Sequence, residues 1–364
     1  MNVAVFYGGK SCEHDVSVVT GVGACAKITG HNILPIYIKR DGTWHVVFNY
    51  GDFSAYKNDK LKSKPVYLKP GDNALYYKNK RWKEIDVALL CTHGAYGEDG
   101  CLQGLLETSG IAYTGSGVLC SGLGLNKAFS KTIFSNLGLK VLPYVLISRN
   151  EYENSLTAVI EKAKDTGYPL IVKPNALGSS IGVSRVENAR QLIVALNLAF
   201  EWDNEVLIER ALTNFTELNV AVLGTTGDVV ASLPEQPISY GQILSFFDKY
   251  ERGGFKGEGE RKFPACVSDK VRDSVRESAK IAFEGLGASG IARIDFLCEG
   301  EEIFINEINT IPGSLATYLF PDYEFLEQKG EGAVIEKLLA LAIEEKKKKD
   351  ALCYRYDSPV LRAK

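Results

Sequence analysis

Short apolar segments separated by helical patterns fill the first third of the chain, and this alternation restricts the fold more than any other feature of the sequence. Residues 3–7, 33–38 and 85–91 read as strands, and residues 14–28, between the first two, read as a helix. A strand running parallel to its predecessor needs a crossover of a dozen or more residues, which a helix supplies. The expectation is an α/β unit with a doubly wound parallel sheet over residues 1–117. Residues 50–81 are rich in Lys, Tyr and Pro and read as excursion loops or edge strands with no catalytic role. Segment 102–114 completes the unit, and Gly115-Ser116-Gly117 marks a seam.

Residues 118–210 read as a compact α+β unit. A helical pattern carries Lys127 and Lys131, followed by strand 141–147, helix 151–166, strand 170–173, a small-residue loop, strand 181–186, helix 189–202 and strand 205–209. In residues 211–364, strands 218–223, 229–233, 291–296 and 302–308 suit a second sheet beside helix 270–286. A polar, Gly-rich stretch at about 239–262 interrupts them, and loops of that length in compact domains are usually functional lids or lack fixed structure. The charge run 344–350 closes a final amphipathic helix, where lysines complement the helix dipole.

Composition narrows the function classes. With 42 Lys plus Arg against 45 Asp plus Glu, the net charge of −3 exerts no long-range pull on nucleic acid or an anionic membrane. Apolar runs such as 87–91 and 338–343 fall far below the ~20 residues that cross a bilayer. The N-terminus enters a strand pattern without a basic region or cleavage site, and the eight cysteines form no C-x-x-C pair, so a reduced, cytoplasmic protein is expected. Four unclustered histidines argue against structural zinc, leaving oxygen ligands for any metal.

Two constellations carry chemistry. Arg293-Ile294-Asp295 and Glu307-Ile308-Asn309 alternate polar and apolar residues, and a period of two places the polar ones on one face. A hairpin bearing Asp295, Glu307 and Asn309 offers the few hard-oxygen ligands that Mg²⁺ takes alongside substrate phosphates and water, and Arg293 can meet a phosphoryl or carboxylate oxygen bidentately. The second is Lys173 followed by Pro174-Asn175-Ala176-Leu177-Gly178-Ser179-Ser180. Small residues let backbone N–H groups approach phosphate oxygens, and the lysine adds the countercharge. The pattern G-x-x-x-x-G-K-[ST] is absent from the chain, which disfavours a P-loop NTPase.

These segments, with Gly8-Gly9-Lys10-Ser11-Cys12-Glu13-His14, Thr92-His93-Gly94-Ala95-Tyr96-Gly97-Glu98-Asp99-Gly100, Asn126-Lys127, Phe247-Asp248-Lys249-Tyr250 and Asn306-Glu307-Ile308-Asn309-Thr310-Ile311-Pro312-Gly313, occur in one order across most of the chain. In them the chain resembles the ATP-grasp superfamily and, within it, the D-alanine–D-alanine ligases. The resemblance implies an ATP-grasp fold over three units, residues 1–117, 118–210 and 211–364, and a homodimer. It also implies ATP-dependent formation of D-alanyl-D-alanine through an acyl phosphate, for peptidoglycan precursors. Asp295, Glu307 and Asn309 would hold Mg²⁺ or Mn²⁺, two ions in all, and Lys127, Lys173 and Ser180 would face the nucleotide phosphates. Glu209 would meet adenine and Glu217 the ribose. Glu13, Ser179 and the lid residue Tyr250 would form one hydrogen-bonded set around the first D-alanine, with His93 beside it. Lys249 and Arg293 would stabilise developing negative charge, while Gly313 and either Ser314 or Tyr318 would meet the second substrate's carboxylate.

Tyrosine at position 250 favours an amine nucleophile, since relatives that use D-lactate usually carry histidine there. The sequence departs from the family in its short, Gly-rich lid, in the spacing around Glu217, and in Tyr318, where many members have serine. That last departure leaves D-alanine–D-serine ligation as the alternative. A nucleotide-binding protein without chemistry would have lost a metal ligand or the lid lysine, and neither is lost. A dinucleotide-dependent oxidoreductase is disfavoured because Gly8-Gly9 lacks the G-x-G-x-x-G pattern.

Overall fold

A computed structural model describes residues 1–58, 60–238, 261–321 and 329–356. The N-terminal sheet holds β1 (Asn2–Gly8), β2 (Asn32–Ile38), β3 (Trp44–Val47), β4 (Ser63–Lys69), β5 (Asp72–Tyr77), β6 (Lys80–Glu84), β7 (Val87–Leu90) and β8 (Ala112–Tyr113), in the order β6-β5-β4-β3-β2-β1-β7-β8. The strands expected to run parallel do so at its centre: β1 pairs in parallel with β2 and β7, and β7 with β8. Val3 to Tyr7 and Val87 to Leu90 are buried along their whole length, as strands covered on both faces must be. The 50–81 excursion supplies the antiparallel strands β4 and β5, which with β3 and β6 extend one edge beyond the doubly wound part. Helices α1 (His14–Lys27), α2 (Phe53–Lys57) and α3 (Cys101–Thr108) connect these strands.

The helical pattern from residue 118 breaks into α4 (Val118–Leu125) and α5 (Lys127–Asn136). The break lies at Asn126, whose side chain accepts the Phe129 N–H at 3.0 Å and so starts a new helix instead of continuing the old one. After β9 (Tyr144–Ser148), the expected helix 151–166 is likewise divided into α6 (Arg149–Asn154) and α7 (Leu156–Thr166). Strands β10 (Leu170–Pro174) and β11 (Ser184–Val186), helix α8 (Ala189–Phe200) and strand β12 (Glu205–Arg210) complete a four-stranded antiparallel sheet in the order β11-β10-β12-β9.

The third sheet orders β14 (Asp228–Ala231), β13 (Thr216–Thr225), β17 (Gly290–Glu299) and β18 (Glu302–Asn309). Short strands β15 (Gln236–Pro237) and β16 (Arg261–Lys262) pair with each other, and α9 (Asp269–Gly285) covers the sheet with Val271, Val275, Ala279 and Phe283. Cys120 of α4 and Phe134 of α5 are buried in this same core. A 3₁₀ turn (Gly313–Leu319) leads on to α10 (Glu331–Asp350).

Helix α10 carries two apolar faces. Ile335, Leu339 and Ala342 enter the N-terminal core, and Val334, Leu338 and Leu341 enter a second core built on β13 and the 3₁₀ turn. The helix therefore joins the first and third sheets through burial, and Lys349 at its end pairs with Glu107 of α3 at 2.5 Å. Leu339→Ala is expected to lower unfolding free energy by about 2–5 kcal/mol, the range for a buried leucine truncated to alanine, as read from the urea midpoint.

Candidate active site

The hairpin register sets the acidic end of the site. Arg293 lies opposite Asn309 and Asp295 opposite Glu307, so the four expected side chains share one face. The register then shifts, pairing Phe296 with Ile305, so that Asn306 is the extra residue of a bulge. Arg293 grips Asp295 with Nε at 2.7 Å from Oδ1 and Nη2 at 2.8 Å from Oδ2, and Asn309 donates its amide to the same carboxylate at 3.1 Å. Burial works against the guanidinium charge, but Asp295 outweighs it and holds Arg293 well above its ordinary value. Glu217 and Asn219 on β13 share the face of Asp295, because Asn219 pairs directly with it. Among the described residues no group of three or more His, Cys, Asp and Glu side chains gathers in a metal-binding arrangement. Two carboxylates and an amide instead match an ion that draws its other ligands from phosphate and water.

Facing this hairpin is a set of buried lysines. Lys173 of β10 donates to Glu209 of β12 at 2.6 Å and to the bulge residue Asn306 at 3.2 Å. Lys131 of α5, fully buried, pairs with the other Glu209 oxygen at 2.9 Å. Burial alone would raise the Glu209 carboxyl, yet the two lysines pull it down to about 2. Burial conversely pushes Lys131 below its ordinary value against the attraction of Glu209. Lys127, one helical turn before Lys131, donates to the Leu177 carbonyl at 2.6 Å and lies 3.5 Å from Glu307. Both Glu209 oxygens are thus committed to lysines. Lys131 and Asn306 were not among the expected site residues, although the four-residue spacing of Lys127 and Lys131 places them on one helix face.

The third part lies at the ends of the N-terminal strands. Glu13 precedes α1, and the Ser179 hydroxyl donates to its carboxylate across the gap between the N-terminal and central sheets. Two glycines press on that carboxylate. A Cβ on Gly94 (φ +68°) would stand 2.7 Å from Glu13 Oε2 and 2.4 Å from Ser11 Oγ, and one on Gly178 would stand 2.9 Å from Oε1. Ser179 and Ser180 occupy the left-handed region at φ 56° and 57°, conformations that persist only where surroundings impose them. His93 is buried with Nε2 3.0 Å from Thr20 Oγ1, and burial lowers its pKa to about 4, so its ring is neutral at pH 7.

The turn after β18 closes the site. Ser314, Leu315 and Ala316 are left-handed in succession, and the Ser314 N–H donates to Thr20 Oγ1 at 3.2 Å, linking this turn to His93. Tyr318 donates its hydroxyl to Glu235 at 2.8 Å, with the Arg261 guanidinium 4.2 Å from its ring centroid. Burial and Glu235 raise the phenol, whereas Arg293 and Arg261 lower it. Ser314 and Tyr318 therefore sit on one turn, with Gly313 at its start. Lys249 and Tyr250, with most of the expected lid, lie outside the described residues.

Family models for the D-Ala D-Ala ligase N-terminus and C-terminus match residues 2–116 and 133–340. The chain belongs to the D-alanine–D-alanine ligase family. It is 36% identical over 359 residues to a D-alanine–D-alanine ligase of Chlorobaculum tepidum, a match spanning 94% of this chain and 97% of that one. The D-alanine–D-alanine ligase structure from Coxiella burnetii shares its fold with a TM-score of 0.81 at 24% identity, over 100% and 97% of the two chains. The VanG D-Ala:D-Ser ligase from Enterococcus faecalis superposes with a TM-score of 0.78 at 27% identity, over 94% and 99%. Family membership makes the chain an ATP-dependent ligase that uses a divalent metal, and among its described residues no helix is long and apolar enough to cross a membrane.

Glu209→Gln leaves two buried lysines around a neutral amide and is expected to cost about 3–5 kcal/mol in urea unfolding at pH 7, as for a broken buried ion pair. Because the folded carboxyl lies at about 2 against an ordinary 4.5, its contribution is present above 4.5 and is lost as pH falls toward 2. The gap between wild type and variant should narrow from pH 5 to pH 3.

Proposed function

We propose that the chain joins two D-alanine molecules to D-alanyl-D-alanine at the expense of ATP. The observation that carries this reading is the meeting of three sets of side chains in one place: the acidic Asp295/Glu307 hairpin, the buried lysines, and the Glu13–Ser179 contact. A carboxylate does not couple to an amine unaided. One D-alanine carboxylate oxygen attacks the γ-phosphorus of ATP, ADP leaves, and an acyl phosphate forms. The amine of the second D-alanine then attacks the acyl carbon, phosphate leaves with the C–O bond pair, and the proton that the nitrogen gives up ends on the departing phosphate.

Each residue then has a task. Glu13, supported by Ser179 and Tyr250, holds the ammonium of the first D-alanine, and neutral His93 lines the same subsite. Lys127, Lys173 and Ser180 face the nucleotide phosphates, Glu217 the ribose, and Glu209 borders adenine while anchoring Lys131 and Lys173. Arg293 and Lys249 stabilise the negative charge that develops at the acyl carbon and the transferring phosphoryl group. Gly313, Ser314 and Tyr318 present the second substrate's carboxylate site. Asp295, Glu307 and Asn309 would hold two Mg²⁺ or Mn²⁺ ions, which neutralise phosphate charge during transfer. The near-neutral charge and the eight free cysteines support action on small molecules in a reducing cytoplasm, without nucleic-acid or membrane partners, and the family resemblance implies a homodimer. Its dipeptide would serve peptidoglycan precursor synthesis.

A second reading, ligation of D-alanine to D-serine, is favoured by one feature: the second-substrate turn carries Tyr318 bound to Glu235 where many family members have serine. Incubation with ATP, Mg²⁺ and D-alanine decides between them. The expected outcome is one phosphate released per D-alanyl-D-alanine identified by mass; release only when D-serine is added would transfer the assignment to the second reading. Glu307→Gln should reduce kcat by at least about a hundredfold, through loss of an anionic metal ligand.

A further inference from the structure

Glu98 has no task in the scheme above, yet it is only 8% exposed and both its oxygens are engaged. Oε2 accepts the Gly94 N–H at 3.1 Å, and Oε1 accepts the Ile311 N–H at 3.0 Å. The donors lie in segments that follow strands of different sheets. Gly94 lies in the loop after β7, where its backbone abuts the Glu13 carboxylate. Ile311 lies in the turn after β18, two residues beyond Asn309 and just before Pro312 and Gly313. A single carboxylate thus spans the loop that carries His93 and the turn that carries Ser314.

We propose that Glu98 is a positioning residue that sets the separation of the two D-alanine subsites, holding the first through Gly94 and the second through Ile311. The inference rests on the dipeptide-ligase reading. In that reaction an amine must approach an acyl carbon held by a different part of the chain, and a misplacement of about 1 Å costs on the order of a hundredfold in rate. A carboxylate suits the task because it carries acceptors on both oxygens, so two N–H groups pointing from opposite sides are each satisfied. An amide offers one oxygen and presents its NH₂ to the other N–H, leaving a buried donor unpaired. Burial and nearby Glu13 push the Glu98 carboxyl up to about 7, opposed by the two N–H bonds and by Arg293. Holding a carboxylate in such a place is costly, and its contacts are both to the backbone of substrate-facing segments.

The test uses the full chain and initial rates against D-alanine, which yield a half-saturation concentration for each subsite, and against ATP. Glu98→Gln is expected to raise the second-subsite value at least about tenfold and the first by less, with the ATP value within about twofold of wild type. Glu98→Asp keeps the charge one methylene shorter. It can still reach Gly94, four residues upstream, but not Ile311, so only the second-subsite value should rise. Should the Gln variant not fold, the Asp variant decides. D-Alanine half-saturations unchanged in both variants, or an ATP value rising in parallel with them, would overturn the proposal. Failure of the underlying reading shows separately, as absence of dipeptide from the wild type.

Discussion

Three buried charges, Lys131, Lys173 and Glu209, depend on one another, and the arrangement of the site depends on them. A lysine with no exposure is tolerable only beside a countercharge, since desolvating an isolated ammonium costs far more than a fold can spare. Glu209 supplies that countercharge to two lysines from two elements, α5 and β10, and so ties a helix to the sheet behind it. The carboxylate carries one negative charge against two positive, leaving local positive charge at the point where phosphate is proposed to bind. Lys173 also reaches Asn306, which transmits the arrangement to the β17–β18 hairpin.

That contact exists because of a bulge. Without the register shift after Asp295 and Glu307, strict alternation would direct residue 306 to the opposite face from Glu307 with a ladder partner of its own. The extra residue is free of the ladder and turns its amide to Lys173 instead. On the other side of the site, space is the constraint. Gly94 and Gly178 lie so close to Glu13 that any side chain there would displace its carboxylate. Small residues here allow two loops from different sheets to close on one charged group, and Glu98 and Thr20 bind the first of them, at Gly94 and His93, to the turn at Ile311 and Ser314.

Much of this was legible in the primary structure. The period of two in Arg293-Ile294-Asp295 and Glu307-Ile308-Asn309 is a local property, and the hairpin forms with all four polar residues on the expected face. The strands of the N-terminal sheet were legible for the same reason, through apolar runs of strand length between turn signals. Less legible was Lys131, which looked like any lysine on a helix, because its burial depends on Glu209 lying 78 residues further along the chain. Glu98 was visible only as part of a motif; its bond to Ile311 joins positions 213 residues apart. The break at Asn126 was missed because a capping side chain competes with helix continuation only through local hydrogen-bond geometry, and the break at Ser155 because it is a backbone departure (φ −147°, ψ 48°) with no side-chain cap to mark it.

The sequence by itself determined the strand and helix periods, the glycine positions and the chemical inventory of the site, since each follows from local sterics, alternation and side-chain type. Tertiary structure alone decided which charges neutralise which. It committed Glu209 to two lysines, placed Tyr318 on Glu235, and stretched Glu98 between two sheets. The reason is physical: a carboxylate takes the partner that burial brings within about 3 Å, and burial is settled by how distant segments pack rather than by neighbours along the chain.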